Sequence, residues 1–558
     1  MYWADDFAQQ IIKSGKHQPY WADDMKTPSG RIHVGSLRGI ISHDLIYKAL
    51  LDAGKSATLS YVIENQDPMD GLPIYLDKKK YQQYMGQPLW SIPSPKSGYK
   101  SYADYFAQDF IEIVNALGAK PKIIYGLDLY RSGKMNQGIK QVLDAASKIR
   151  QLYKKISGSA KPADWYPLQV ICPKCGKIGT TKVTGWDGEK VSFKCLPALV
   201  KWAQGCGHEG KISPFNGNGK VPWKIEWALK WQAVGITIEG AGKDHMTEGG
   251  SHDIASAICR QVINYPVPFH FSHEFLLIGG RKMSSSRGLG SSAREMYNLL
   301  PPAILRFLLV RPRYNRAIDF DPGSYTIPDL FDTYDHCAVE FYRYGRKSDL
   351  GRIFELSQVK KPPPKKTFYP RFREVAQYLQ MPKVNLTQHF ETEKGKSLTI
   401  TEKKILAERV HYAEIWLRDH APKEEVFSVS QTLSQAVAEL NQKQKDYLLK
   451  VAQLLAKDWS KPEEFQQALY DASKSLDLPA QKAFTAIYIV LLGKTHGPKA
   501  AWLLLDQDRK AMIQRLKKVA GGKKFDVLAE TRALRKELSR LNPNFDSVKA
   551  LREVRKEI

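Results

Sequence analysis

The stretch Thr27-Pro28-Ser29-Gly30-Arg31-Ile32-His33-Val34-Gly35-Ser36 joins a turn-forming Pro-Ser-Gly to a His-x-Gly that opens an apolar-periodic helix. Its residue types suit a polyphosphate. Glycines let a backbone approach phosphates closely, a helix N-terminus offers free N–H groups, and a histidine can donate to a phosphate oxygen. An ordinary helix start with a surface histidine has the same local sequence. A second stretch, Arg281-Lys282-Met283-Ser284-Ser285-Ser286-Arg287-Gly288, sets a lysine before three hydroxyls on a glycine-bounded loop. Such a loop can close ammonium and hydroxyl donors over a charged group, or be simply a flexible polar loop. The two stretches stand about 250 residues apart.

The cysteines read as metal ligands. Cys172-Pro173-Lys174-Cys175-Gly176 is a knuckle whose thiolate pair can grip one side of a tetrahedral Zn²⁺. The other half is irregular: Cys195 is followed by ten residues and then Cys206-Gly207-His208. The expected set is Cys172, Cys175, Cys195 and Cys206, with Cys206 preferred over His208, and reduced unliganded thiols are the alternative. Cys259 and Cys337 lie in apolar-periodic segments and read as core.

These groups need a frame to hold them. The strand-like run Ala57–Ile63 and the helical periodicity of Arg38–Ala53 predict strand–helix alternation and hence a parallel sheet. From about residue 96 to 220 the composition shifts to glycine, lysine and four of the six cysteines, as in an inserted module. The alternating pattern returns over 221–345. The run Val359-Lys360-Lys361-Pro362-Pro363-Pro364-Lys365-Lys366 cannot continue a helix or central strand, so it breaks the chain. Beyond about 400 the reading is helical throughout, with spacing such as Val451, Leu454, Leu455.

With 558 residues the chain should hold three or four domains, and 43% hydrophobic against 25% charged residues fits ordered globular structure. A net charge of +26 points to a polyanionic partner, nucleic acid before a membrane. The longest apolar run, near Ala486–Leu492, is far short of the ~20 residues a spanning helix needs. The acidic, aromatic start has no signal-peptide pattern, so a soluble, cytoplasmic protein with no membrane attachment is expected.

Together the two loops resemble the HIGH and KMSKS signatures of class I aminoacyl-tRNA synthetases. Further stretches are similar to the class I form of the lysyl-tRNA synthetase family: Asp67-Pro68-Met69-Asp70-Gly71-Leu72-Pro73, Ile92-Pro93-Ser94-Pro95, Gly240–His245, Gly249–Asp253, Asn315–Pro322 and Ile487–Leu505. The resemblance covers roughly residues 20–515. The HIGH-like motif departs from the pattern at Ser36, and the KMSKS-like loop has Ser285 in place of a second lysine, a charge Arg287 could supply.

The resemblance implies an α/β fold. A Rossmann-like parallel-sheet catalytic domain (1–95 and 221–280) would be split by a connective insertion with a zinc-ribbon-like module (96–220). A KMSKS-loop module (281–358), a linker with the start of the helical region (359–399), and an all-α anticodon-binding domain with a basic tail (400–558) would follow. It also implies ATP-dependent attachment of L-lysine to tRNA(Lys) through a lysyl-adenylate, with Mg²⁺ accompanying ATP and a structural Zn²⁺. His33, Lys282, Ser284 and Ser286 would carry the chemistry. Gly30, Gly35, Ser36, Gly242, Lys243, Asp244, His245, Met283 and Ser285 would hold ATP. Thr27 and Ser29 suit the substrate's backbone, and Trp223, Trp231 and His245 its stem. Glu64, directly after a strand, is the first choice for the ε-ammonium, and Asp67 the second. A glutamyl- or arginyl-type enzyme and a non-catalytic tRNA-binding paralogue are the competing readings.

The final segment, Arg509–Ile558, holds fifteen Lys+Arg and six Asp+Glu. It reads either as a solvated helix packed on the helical domain or as a basic appendage on the tRNA backbone.

Overall fold

The computed structural model describes residues 1–280, 292–363, 366–381 and 383–521. Lys282, Met283, Ser284, Ser285 and Ser286 therefore lie outside the described residues, as does the basic tail beyond 521. The chain divides into two compact units, Met1–Thr367 and Phe368–Ile558.

The first unit is built on a parallel sheet. Strand β1 (Tyr20–Lys26) leads through the Thr27–Ser36 turn into helix α1 (Gly35–Asp52), which returns to β2 (Ala57–Ile63). β1 and β2 pair in parallel from Tyr20↔Ala57 to Lys26↔Ile63. The last five residues of β2 are buried, as a strand covered on both faces requires. Helix α2 (Tyr102–Ala116), capped by Ser101, then crosses to β3 (Lys122–Tyr125), which pairs in parallel with β2. The sheet thus takes its third strand from inside the 96–220 stretch, so the sheet does not stop at residue 95. The reason is topological: a parallel neighbour needs a crossover helix, and α2 supplies it. On the other side of β1, single parallel bridges Ala22↔Ile238 and Ile238↔Phe269 bring the later half of the chain back to the same sheet.

Further along the chain, an antiparallel sheet is formed by β4 (Thr181–Trp186), β5 (Val191–Cys195) and β6 (Glu209–Ile212). Helix α3 (Trp223–Val234) follows it and packs its Ile225, Ala228 and Leu229 into the core. Strand β7 (Ala241–Gly242) pairs in parallel with β8 (Ser272–His273), and β9 (Leu276–Ile278) with β10 (Ile318–Phe320). Helix α1 is buried on almost every face. Its Arg38 guanidinium donates to the carbonyls of Phe275, Arg313, Tyr314 and Arg316 at 2.6–3.2 Å, tying the helix to the segments before β9 and β10.

Every regular element among the described residues of the second unit is helical. Its core gathers Tyr447, Leu448, Val451, Leu455, Ile487 and Val490, the apolar face that the i, i+3, i+4 spacing predicts. Capping boxes at Thr399–Glu402 and Asn441–Gln444 start two of the helices. No helix among the described residues is long and apolar enough to cross a membrane.

Candidate active site

A cavity of about 730 Å³ opens beyond the C-terminal ends of β1, β2 and β7, the end of a parallel sheet at which ligands bind. Thr27, Ser29, His33, Gly35 and Ser36 form one wall. The turn is held from outside. Tyr102 Oη donates to the Ser29 carbonyl at 2.8 Å, and the Arg31 N–H donates to Tyr75 Oη at 2.6 Å. Val34, at the start of α1, gives no side-chain cap; the Ser36 and Leu37 N–H groups donate to the His33 and Val34 carbonyls at 3.0 and 2.9 Å, and the positive end of the helix dipole lies at the cavity wall beside Gly35 and Ser36.

His33 forms an antiparallel bridge with Ser292, and the Ala293 N–H donates to the Ile32 carbonyl at 2.9 Å. Ser292 is the first described residue after 281–291, and Glu274, Phe275 and Leu276, shortly before that stretch, line the cavity. Both flanks of the second sequence motif are therefore anchored around the first.

The floor is a chain of buried charges. Lys230 pairs with Glu64 and reaches Glu226 at 3.2 Å; Lys220 pairs with Glu226 and reaches Asp67 at 2.9 Å. Tyr130 Oη donates to Glu226 Oε1 at 2.6 Å, and Thr27 Oγ1 donates to Asp67 Oδ2 at 2.5 Å. Burial works against the Lys220 ammonium, but Asp67, Glu226 and Glu64 outweigh it and raise its pKa. Asp67 is likewise disfavoured by burial, yet Lys220 and the Thr27 hydroxyl bring it below the usual range. Glu64 differs: burial lifts it to about 7 against the pull of Lys230. Its Oε2 has no hydrogen-bond partner and sits beside Gly126, where a Cβ would lie 3.2 Å away. Glu64 is thus in the cavity wall, with one oxygen already engaged by the protein's own lysine.

Sequence reasoning missed Asp24, Lys220, Glu226 and Lys230. Glu226 and Lys230 stand four apart on α3, a spacing that marks an ion pair on one helix face and could have identified them. Asp24, on β1, accepts the Met25 N–H at 2.9 Å, and burial lifts its carboxyl to about 7. It packs on Gly39, where a Cβ would come within 2.5 Å of Asp24 Oδ2, so α1 can approach β1 only with glycine there.

Gly242, Asp244, His245 and Trp223 also line the cavity, the Trp223 and His245 rings meeting edge-on at 5.3 Å. The Gly240 N–H donates to His43 Nε2 at 2.8 Å, so the proton on that ring sits at Nδ1, which donates to the Gly39 carbonyl. Burial lowers the His43 pKa to about 3, keeping the ring neutral.

Three expected residues lie off the cavity wall. Trp231 is fully buried and its indole N–H donates to Glu239; Trp227, one turn earlier, takes the place at the wall. Lys243 turns outward to pair with Glu274 at 2.8 Å. Gly30 is buried within the turn and supports it from behind.

The four expected cysteines converge. Sγ separations are 3.6 Å for Cys172–Cys206 and 3.7 Å for Cys175–Cys195, and all four sulfurs lie within 4.8 Å of one another. Four thiolates at ~2.3 Å from one ion would stand about 3.8 Å apart, so the set fits a tetrahedral site. The irregular spacing has a local cause. The chain loops out after Cys195 and returns at Gly205, whose missing Cβ would lie 2.4 Å from the Leu196 carbonyl oxygen. The Gly207 N–H then donates to the Cys195 carbonyl at 2.9 Å, setting Cys206 beside Cys195. His208 instead packs on Phe193.

Residues 1–360 match the family described as tRNA synthetases class I (K). The chain is 32% identical over 549 residues to "Lysine--tRNA ligase 1" of Methanosarcina acetivorans, covering 93% of this chain and 98% of that one. It is 32% identical over 538 residues to "Lysine--tRNA ligase" of Methanocaldococcus jannaschii, covering 92% and 99%. Among solved structures, a glutamate tRNA ligase from Elizabethkingia meningosepticum superposes with a TM-score of 0.42 at 11% identity, covering 91% of this chain and 100% of that one.

Proposed function

The chain belongs to the class I (K) tRNA synthetase family, and from that premise we propose that its cavity activates L-lysine with ATP and that it transfers the lysyl group to tRNA(Lys). One observation carries the choice of amino acid. Among the described residues, the cavity wall holds eight carboxyl groups (Asp24, Glu64, Asp67, Asp70, Glu226, Glu239, Asp244 and Glu274) against three lysines. A cation is welcome on such a wall and a side-chain carboxylate is not, which sets lysine or arginine above glutamate, and the lysine ligases among its relatives favour lysine of the two.

In the first step the lysine carboxylate attacks the α-phosphorus of ATP, the bond to the bridging oxygen breaks, and pyrophosphate leaves. Charge grows on the phosphate oxygens, and the protein's task is to position reactants and meet that charge. The N-terminus of α1 with Gly35 and Ser36, together with His33, serves the phosphates; Lys282, Ser284 and Ser286, outside the described residues, would close over them. Thr27 and Ser29 face the substrate's backbone. Glu64 and Asp67, backed by Asp24, face the ammonium, with Trp223, Trp227 and His245 along the stem. Mg²⁺ enters with the triphosphate, as it does where substrate phosphates supply its ligands. In the second step a terminal ribose hydroxyl of the tRNA, the 2′-hydroxyl on the family resemblance, attacks the carbonyl carbon and AMP leaves.

Cys172, Cys175, Cys195 and Cys206 would hold a structural Zn²⁺ that pins the loops around β5. The helical second unit is read as the anticodon-binding region, and the basic excess as the means of holding tRNA in the cytoplasm, where charging takes place. Charging tRNA across a panel of amino acids tests the whole reading. Lysine alone should be attached, with ATP and Mg²⁺ required. Charging of glutamate or arginine would overturn the amino-acid choice, and tRNA binding without charging of any amino acid would mark a paralogue without catalysis.

A further inference from the structure

Away from the cavity, the second unit brings together three side chains that the activity does not use. Helix α4 (Phe372–Leu379) carries Glu374, and helix α5 (Leu386–Lys394) carries His389 and Glu393 four residues apart on one face. One oxygen of each carboxylate and a ring nitrogen of His389 lie within 4.8 Å of one another. The imidazole is held by aromatic packing, with the Tyr378 ring 4.2 Å and the Phe390 ring 5.0 Å from its centroid. Its Nε2 is buried without a hydrogen-bond partner, although Glu374 Oε2 is only 4.0 Å away. That separation is too long for a hydrogen bond. It is about half an ångström longer than the ~3.4 Å between two ligands bound at ~2.1 Å in a tetrahedral site. Small rotations of the half-buried Glu374 and the exposed Glu393 would close the difference.

We propose that Glu374, His389 and Glu393 form a binding site for a divalent transition-metal ion of the Zn²⁺ type, clipping α4 to α5. One imidazole with two carboxylates suits such an ion better than Mg²⁺ or Ca²⁺, which take oxygen ligands. One observation beyond the cluster's composition agrees with it: the His389 Nε2 is buried and has no hydrogen-bond partner. Lys499 is the competitor: its ammonium lies over the Tyr378 and Trp502 rings and attracts both carboxylates.

The test uses the full chain, stripped with a chelator, loaded with Co²⁺ and freed of excess ion by gel filtration. Cobalt is counted by elemental analysis, and the near-ultraviolet thiolate-to-cobalt band reports the cysteine site separately. His389→Ala should hold one equivalent less than the parent with an unchanged thiolate band. Glu393→Gln, at an exposed position where folding is safe, should weaken the non-thiolate site by at least the ~10-fold that even an outer partner of a metal ligand is worth. Lys499→Met should tighten it. Equal cobalt content and affinity in parent, His389→Ala and Glu393→Gln would overturn the site. So would loss of the second equivalent in Cys172→Ser alone.

Discussion

The two units bury different things. The helical unit closes over an apolar core, with Tyr447, Leu448, Val451, Leu455 and Leu491 packed together. The first unit has such a core too, but it also buries Glu64, Glu226, Lys220 and Lys230 at the end of its sheet. Apolar burial stabilises by removing surface from water, whereas burying charge costs desolvation that only good pairing offsets. Stability has been given up for function at the end of the sheet. At the cavity four buried charges form one chain with Asp67, whereas the buried pair Lys394–Glu402 of the helical unit stands apart from its apolar core.

The largest effect that would sharpen this contrast is Lys230→Met. Removing the central ammonium leaves Glu64 uncompensated, so stability should fall by about 3–5 kcal/mol in denaturant titration, with lysine activation lost as well. Leu455→Ala, in the helical core, should cost a similar ~2–5 kcal/mol while leaving the lysine KM untouched. A Lys230→Met protein as stable as the parent would mean that the network is not structurally needed.

Glu64→Gln removes one charge but keeps the shape. Lysine affinity should fall by about 2 kcal/mol or more, with the ATP KM unchanged. Unchanged lysine affinity would move the ammonium contact to Asp67 or Asp24.

The raised carboxyls predict a pH dependence of known sign. Asp24 and Glu64 titrate near 7, so they take up protons as pH falls below 7 and lose the charge that attracts the ammonium. The lysine KM should rise by up to ~10-fold between pH 7 and 6, and the ATP KM should not follow it. A flat lysine profile would show that neither group meets the substrate.

Cys172→Ser should abolish thiolate-bound zinc and loosen the insertion without altering the chemistry of the cavity; retention of full metal content would refute the four-cysteine assignment. Smallest of all, deleting residues after 521 should weaken tRNA binding and flatten its salt dependence, by about 0.7–0.9 in log–log slope for each phosphate that is no longer neutralised. An unchanged salt slope would make that segment a solvated helix.

Much of this was legible in the residues because it is local. A Pro-Ser-Gly before His-x-Gly dictates a turn into a helix from steric and dipole effects within ten residues. The apolar run of β2 and the CxxC knuckle are likewise readable where they stand, and the heptad-like spacing of Val451 and Leu455 marks a buried helix face. Three things needed the tertiary structure. Strand β3 joined the sheet from beyond residue 95 because backbone pairing is satisfied by whichever strand the crossover delivers. Cys195 and Cys206 met because a loop closed through Gly205. Glu64 was recognisable as a carboxylate at a strand end, but its bond to Lys230, 166 residues away, was not. Sequence alone determined the elements and the types of chemistry available, since those depend on local sterics and functional groups. The choice of which charges face each other, and which of them remain for a substrate, came only when distant segments were desolvated together, for in the low-dielectric interior every buried charge must find its partner wherever the fold places one.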